Sequence, residues 1–179
     1  MAEFLTSNDL NSAIEVIFES ADKYLLLISP YIKLHERYKS VLKSKLLNHK
    51  LEIVIVFGKN EEDVSKSIKL EDIIFFTQFP NIHILHEKRL HAKYYANESL
   101  ALITSMNLYS YSQDNNIEAG VLTKGSLLDN LTGGLITKFT SADTFDGHAY
   151  GYFLRVVEQA EILYKKIPQY ESGLLGFQN

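Results

Sequence analysis

The stretch Leu90 to Asn107 gathers side chains that could do chemistry together: an imidazole at His91, an ammonium two residues on at Lys93, a hydroxyl at Ser105 and a carboxamide at Asn107. Alternate residues of a strand share a face, so His91 and Lys93 would point one way and Ala92 and Tyr94 the other. The same alternation aligns Ser105 with Asn107. If the two runs pair as a hairpin, four polar groups address one pocket. Glu118 follows on a third predicted strand, where a carboxylate could bind one imidazole nitrogen and leave the other free. An isolated H-x-K pair is usually no more than an exposed pair on a strand face; the ordered set of five is what carries meaning.

The elements that must hold these groups can be read from periodicity. Leu10, Ala13, Ile14, Ile17, Phe18 and Ala21 form one helical stripe behind the capping oxygens of Thr6, Ser7 and Asn8, ending near Asp22. YLLLISPYI is a short apolar run stopped at Pro30, as a buried strand would be; ERYKSVLKSKLLNH returns to helical spacing; LEIVIVFG is a second buried strand. Strand, helix, strand suggests a parallel pair. A helix over 61–76, a strand at NIHILH, a hairpin of HAKYYA and ALITS turning at Asn97, Glu98 and Ser99, and a strand at NIEAGVLT follow. Residues 126–147 give no clear pattern, and YGYFLRVVEQAEILYKKI predicts an amphipathic helix over about 150–167. The fold class is α/β: a mixed central β-sheet flanked by helices, in one domain over 1–179.

Composition narrows the function classes. With 179 residues, 46% apolar and 22% charged, the chain has the make-up of an ordinary globular domain. A net charge of −4 argues against tight nonspecific binding of polyanions, so any contact with nucleic acid needs a local basic patch. There is no cysteine, hence no disulfide framework and no thiolate metal site. The first residues lack a basic region before an apolar core, and no apolar run is long enough to cross a bilayer, which predicts a cytoplasmic protein without membrane association.

HAKYYANE resembles the HxKxxxxD motif of the phospholipase D superfamily, SMN resembles its following GSxN, and Glu118 resembles its later acidic residue. The likeness is densest over 90–122, and the order of the earlier elements suits that superfamily's fold. It departs from the pattern twice: Glu98, with Asn97 as a competing alignment, stands where an aspartate is usual, and Thr104 where a glycine is usual. The added Thr104 side chain would lie beside the phosphate site and narrow access to it.

The resemblance implies phosphodiester chemistry in two displacements, with His91 as nucleophile forming a phosphohistidine that water then releases. It implies Lys93 and Asn107 as donors to the phosphate oxygens, Ser105 as their support, and Glu118 as the group that orients His91. A single imidazole cannot be nucleophile and acid in one step. Since the chain carries one copy of the motif, the resemblance implies a homodimer in which two His91 rings share one site. Such a site needs no metal and no cofactor.

Among the remaining basic residues, Lys88 and Arg89 precede His91 and could guide a phosphate backbone into the site, whereas the lysines of KSVLKSKLLNHK read as a solvated helix face. His83, His86 and His91 do not make a metal cluster, because a spacing of three in a strand sends His83 and His86 to opposite faces. Tyr94, Tyr95, Tyr109 and Tyr111 could stack on bases, but packing is the better reading for Tyr95. Ser105 and Asn107 could also cap a short helix near Leu108. The expected activity is metal-independent cleavage of nucleic acid, DNA first, as in a restriction or defence nuclease. The rivals are a phospholipase or phosphatidyl transferase, for which the C-terminal IPQYESGLLGFQN would serve as an interfacial anchor, and a catalytically silent nucleic-acid-binding module of the same fold.

Overall fold

A computed structural model describes residues 2–59, 63–109, 116–124 and 145–168. Within them the chain runs β1 (Ala2–Thr6), α1 (Asn8–Ser20), β2 (Tyr24–Ile28), β3 (Ile32–Lys33), α2 (Glu36–Lys43), β4 (Glu52–Phe57), α3 (Leu70–Phe76), β5 (Ile82–His86), β6 (Tyr94–Asn97), β7 (Leu100–Thr104), β8 (Leu108–Tyr109), β9 (Ala119–Lys124), α4 (Phe145–Gln159) and β10 (Glu161–Lys166). Tyr111, most of 126–147 and most of IPQYESGLLGFQN lie outside the described residues.

Eight strands form one mixed sheet in the order β1-β9-β7-β6-β2-β4-β5-β10. Strands β2, β4 and β5 are parallel, and the others join antiparallel. Every residue of β2 is buried, which explains why YLLLI is a continuous apolar run rather than an alternating one. Its side chains divide between two cores. Leu25 and Leu27 pack with Leu10, Ile14, Ile17 and Phe18 of α1, while Tyr24, Leu26 and Ile28 pack with Tyr150, Phe153, Val156 and Val157 of α4. Helices therefore cover both faces of the central strands.

Several elements differ from the sequence expectation, each for a physical reason. The C-terminal helix ends at Gln159, not near 167, and Glu161–Lys166 is an edge strand antiparallel to β5. The run EILYKK carries β-branched and aromatic residues, and pairing with an open sheet edge outweighs helical periodicity. Helix α3 is shorter than 61–76, with a 3₁₀ turn at Val64–Lys66 before it; Glu61 and Glu62 lie outside the described residues. Residues 108–109 form no helix but a two-residue strand parallel to β3, so helix capping is not what Ser105 and Asn107 do. The Ser7 hydroxyl makes no capping bond to α1. Thr6, expected among the capping residues, instead ends strand β1, which pairs with β9 along Ala2–Thr6.

The registers bring one set of strand ends together. Ile28 of β2 lies beside Val56 of β4 and Tyr94 of β6; Phe57 lies beside His86; Tyr94 lies beside Ile103, and Thr104 beside Gly120. The C-terminal ends of the three parallel strands thus share an edge with the start of β6, the end of β7 and the start of β9. In open α/β sheets this is where ligands bind.

Candidate active site

Between β5 and β6 the chain must cross the ends of β4 and β2, because those strands lie between them in the sheet. Residues 87–93 make that crossing. His91 and Lys93 are consequently not on strand β6, as alternation suggested, but on the loop leading into it. The consequence is favourable: the His91 ring is exposed above the sheet end rather than pressed onto one face of it.

The loop is held at both ends. Glu87 N–H donates to Phe57 O at 2.9 Å and Leu90 N–H to Glu87 O at 3.0 Å. At the other end Thr104 N–H donates to Lys93 O at 3.3 Å, and Ser105 N–H to Ala119 O at 2.9 Å. Lys93, Ser105 and Glu118 are thereby set across three neighbouring strand ends. The Ser105 hydroxyl donates to Glu118 Oε2 and accepts from Ala119 N–H at 3.1 Å. Asn116 Nδ2 donates to Glu118 Oε1 at 3.4 Å. No hydrogen bond among the described residues joins Glu118 to His91. In this structure the carboxylate accepts from Ser105 and attracts the Lys93 ammonium.

Asn107 is half-buried, and its Oδ1 is buried without a hydrogen-bond partner among the described residues. Such orphans are rare and tend to mark strained or functional positions. The segment that carries it is pinned from below by Leu108 N–H donating to Ser29 Oγ at 3.1 Å and by Tyr95 OH donating to Met106 O at 2.9 Å. Tyr95 is fully buried, a packing and hydrogen-bonding residue as expected. Tyr94 is buried too, stacked on Phe153 at a centroid distance of 4.2 Å.

Thr104 does not line the site. It is buried, and its hydroxyl donates to Ala119 O at 2.9 Å and accepts from Met106 N–H at 3.1 Å. Gly120, directly opposite, makes room: a Cβ there would sit 3.0 Å from the Thr104 Cβ and 2.8 Å from Ile103 O. The threonine thus turns the chain from β7 toward Asn107 and does not narrow access. Glu98 and Asn97 are at the opposite end of β6. The Glu98 carboxylate accepts from Asp22 N–H at 2.8 Å and Tyr24 N–H at 3.3 Å, fixing the start of β2. The Asn97 carboxamide bonds Ile17 O at 2.7 Å and closes the hairpin through Ser99 and Leu100 N–H. Whichever of them matches the motif's aspartate, its work is structural.

Lys59, which is not among the residues the motif pattern points to, lies next to this cluster. It follows Gly58 at the end of β4, at the strand end that the loop carrying His91 crosses, and its backbone is held at φ 116°. A lysine in that region carries strain of about 1–3 kcal/mol, and strain of this kind gathers at functional sites. The Lys93 and Lys59 ammonium charges, with a smaller contribution from burial, hold the His91 imidazole below its ordinary range. The Lys93 ammonium is itself lowered, chiefly by desolvation and further by Lys59, against the attraction of Glu118. The sequence signal was available in retrospect: FGK at the C-terminal end of a buried strand is where an α/β sheet binds its ligands.

Arg89 and Lys88 are exposed on the same crossing loop. Arg89 Nε lies 3.3 Å from Glu87 Oε1, and Arg89 N–H donates to the same oxygen at 3.0 Å. Both residues are on the surface, three and two positions before His91. His83 faces away, buried and 3.2 Å from Glu52 Oε1, while the His86 ring packs on Phe57 with centroids 5.5 Å apart.

The arrangement can hold a tetrahedral anion. An exposed neutral imidazole stands near two ammonium groups, with a hydroxyl–carboxylate pair and a carboxamide on the adjoining strand ends. No protein-family model matches the chain, and no curated protein does. Solved structures share its fold. NucT from Helicobacter pylori superposes with a TM-score of 0.63 at 13% identity, covering 90% of this chain and 98% of that one. Nuc from Salmonella typhimurium, a phospholipase D family member, superposes with a TM-score of 0.61 at 11% identity over 93% of this chain and 99% of that one. TrmBL2, an archaeal chromatin protein, gives 0.56 at 11% identity over 90% of this chain and 53% of its own. The mixed sheet flanked by helices is the phospholipase D fold.

Proposed function

We propose that the protein is a metal-independent phosphodiesterase acting on nucleic acid, with His91 as nucleophile and a second copy of the chain completing the site. The observation that carries this reading is the exposed His91 ring, kept neutral by Lys93 and Lys59, beside Ser105, Asn107 and Glu118 at the C-terminal edge of the parallel strands. A neutral ring nitrogen attacks phosphorus and the ester oxygen departs, leaving phosphohistidine. The departing oxygen takes a proton from the His91 of a second copy. That imidazole then removes a proton from water, whose oxygen attacks phosphorus and releases His91. Lys93, Lys59 and the Asn107 carboxamide stabilise the charge on the non-bridging oxygens, each well-placed donor lowering the barrier by about 3 kcal/mol.

The fold shared with Nuc and NucT and the cations around His91 support nucleic acid as the substrate. The test is incubation of the pure protein with plasmid and single-stranded DNA in excess EDTA across a pH series. Cleavage in EDTA is expected; intact DNA throughout would overturn the reading. The fold shared with TrmBL2 favours a second reading, a silent DNA-binding module. Retention of DNA without any phosphorylated His91 would decide for it.

The electrostatics around His91 make a further prediction. The histidine must be neutral to attack, and the two ammonium groups lower its pKa, so activity should persist to a more acidic pH than an ordinary imidazole allows. Lys59→Met removes one of the lowering charges. The acid limb of the kcat/KM profile should therefore move to higher pH, with the largest loss on the acid side. An unchanged acid limb would show that Lys59 does not act on the nucleophile.

A further inference from the structure

Beside His91 a cleft of about 510 Å³ runs between the crossing loop and α4, lined by residues 87 and 89–92 on one side and by Tyr152, Arg155, Val156 and Gln159 on the other. Its volume is in the range of small-ligand sites. The α4 residues fall at i, i+3, i+4 and i+7, which makes them one stripe of the helix. Leu90 and Val156 are buried and form an apolar floor. Tyr152 is 54% exposed, on the side of the helix away from the core that Tyr150, Phe153 and Val157 fill. The Arg155 guanidinium lies over the Tyr152 ring at 5.9 Å from its centroid and makes no ion pair among the described residues. Glu87, the one acid in the cleft, is already committed: burial pushes its carboxyl up, but hydrogen bonds from Arg89 and Gln159 and the Arg89 charge outweigh this and hold it below its ordinary range.

We propose that this cleft binds the nucleotide next to the scissile phosphate of an unpaired strand, with the base on the Tyr152 face and the flanking phosphates on Arg155 and Arg89. The proposal rests on the phosphodiesterase reading and narrows its substrate to single strands or frayed ends. Two observations and one general argument lead to it. His91 itself lines the cleft, so a strand held at His91 has this cleft beside it. It joins an exposed aromatic face to two guanidinium groups, the pairing that holds single-stranded nucleic acid by stacking and backbone charge. In a duplex the faces of the bases are already stacked on each other, so a tyrosine platform has nothing to receive.

The test measures binding of a fluorescein-labelled oligothymidylate by anisotropy, in a His91→Ala background so that the probe stays intact. Tyr152→Ala should weaken binding about tenfold, and Tyr152→Phe should restore it, because stacking needs the ring and not the hydroxyl. Arg155→Ala should weaken binding and make the dependence of log K on log salt shallower by about one unit. Binding of a blunt duplex should not change with Tyr152→Ala. The proposal is overturned if Tyr152→Ala binds the oligonucleotide like its parent, if duplex and single strand lose affinity alike, or if the substitution instead alters the sedimentation of the protein, which would make the cleft a contact between copies. Hydrolysis of bis(p-nitrophenyl) phosphate by the unmodified protein, a substrate with no base, tests the phosphodiesterase reading separately. If it fails while the oligonucleotide result holds, the cleft stands and the chemistry falls.

Discussion

His91→Ala is expected to reduce phosphodiester cleavage by about 10⁴-fold or more, the scale on which removal of a catalytic nucleophile is felt. Because the ring is exposed and no neighbour depends on it for packing, the melting temperature should not move measurably. Full activity in this variant would remove the nucleophile from the scheme. The same variant also tests whether two chains share one site. If each active centre needs a neutral His91 from one copy and a protonated one from another, a mixed dimer with one alanine is dead. Unmodified and variant chains, unfolded together and refolded at a series of ratios, should then show activity falling as the square of the unmodified fraction. A linear fall would mean that each chain works alone, and the source of the leaving group's proton would have to be sought within one chain. Acid quenching of the unmodified protein during turnover should trap an acid-labile phosphoryl group that is missing from His91→Ala.

The second large effect concerns position rather than chemistry. Gly58→Ala should destabilise the protein by about 3 kcal/mol, combining overpacking with a backbone geometry that suits glycine. A Cβ at Gly58 would lie 2.1 Å from Glu87 O and 2.7 Å from Glu87 C, and both are backbone atoms that no rotamer change can move aside. Gly58 N–H donates to Pro30 O at 3.3 Å, so three segments meet at this residue. The relief open to the chain is displacement of the Glu87 end of the crossing loop, which carries Arg89 and His91. Activity should therefore fall by about 10²-fold even in the fraction that remains folded, since a shift of order 1 Å at a reacting group has that effect. Gly151→Ala is the internal comparison. Its Cβ meets nothing nearer than Arg155 Nη1 at 4.0 Å, and within α4 alanine should stabilise by about 0.5–1 kcal/mol. Thermal melts of the two variants should move in opposite directions, by roughly 10 °C downward for the first and a few degrees upward for the second. A Gly58→Ala protein as stable as its parent would mean that the loop rests on Gly58 less closely than the structure has it.

The site was legible in part because its members are near one another in the chain. His91, Lys93, Ser105 and Asn107 flank a local hairpin whose pairing follows from two apolar runs and a polar turn, and Glu118 immediately precedes the next strand. Contacts of short sequence separation leave a pattern in the order of residue types. The roles were less legible than the residues. Thr104 and Glu98 read as departures that touch the phosphate site, yet both are spent on backbone: Thr104 on Ala119 and Met106, Glu98 on Asp22 and Tyr24. Those partners become neighbours only once the sheet is assembled, and Gly120, whose missing side chain admits Thr104, gives no local sign of doing so.

By itself the amino-acid sequence determined the class of fold, through continuous apolar runs that must be covered on both faces and helical stripes able to cover them. It also determined the set of groups available for chemistry, because side-chain type and local hairpin pairing are properties of short stretches. The tertiary structure alone decided that β5 and β6 are separated by β4 and β2. That separation draws residues 87–93 across the sheet end, lifts His91 into the open, and brings it to Lys59 from one side and to Arg155 and Tyr152 from the other. Strand order depends on which apolar faces and edges find each other across the whole chain. No periodicity within a short window records that choice, so the approach of Lys59 to His91 and the α4 cleft are decided only in the folded molecule.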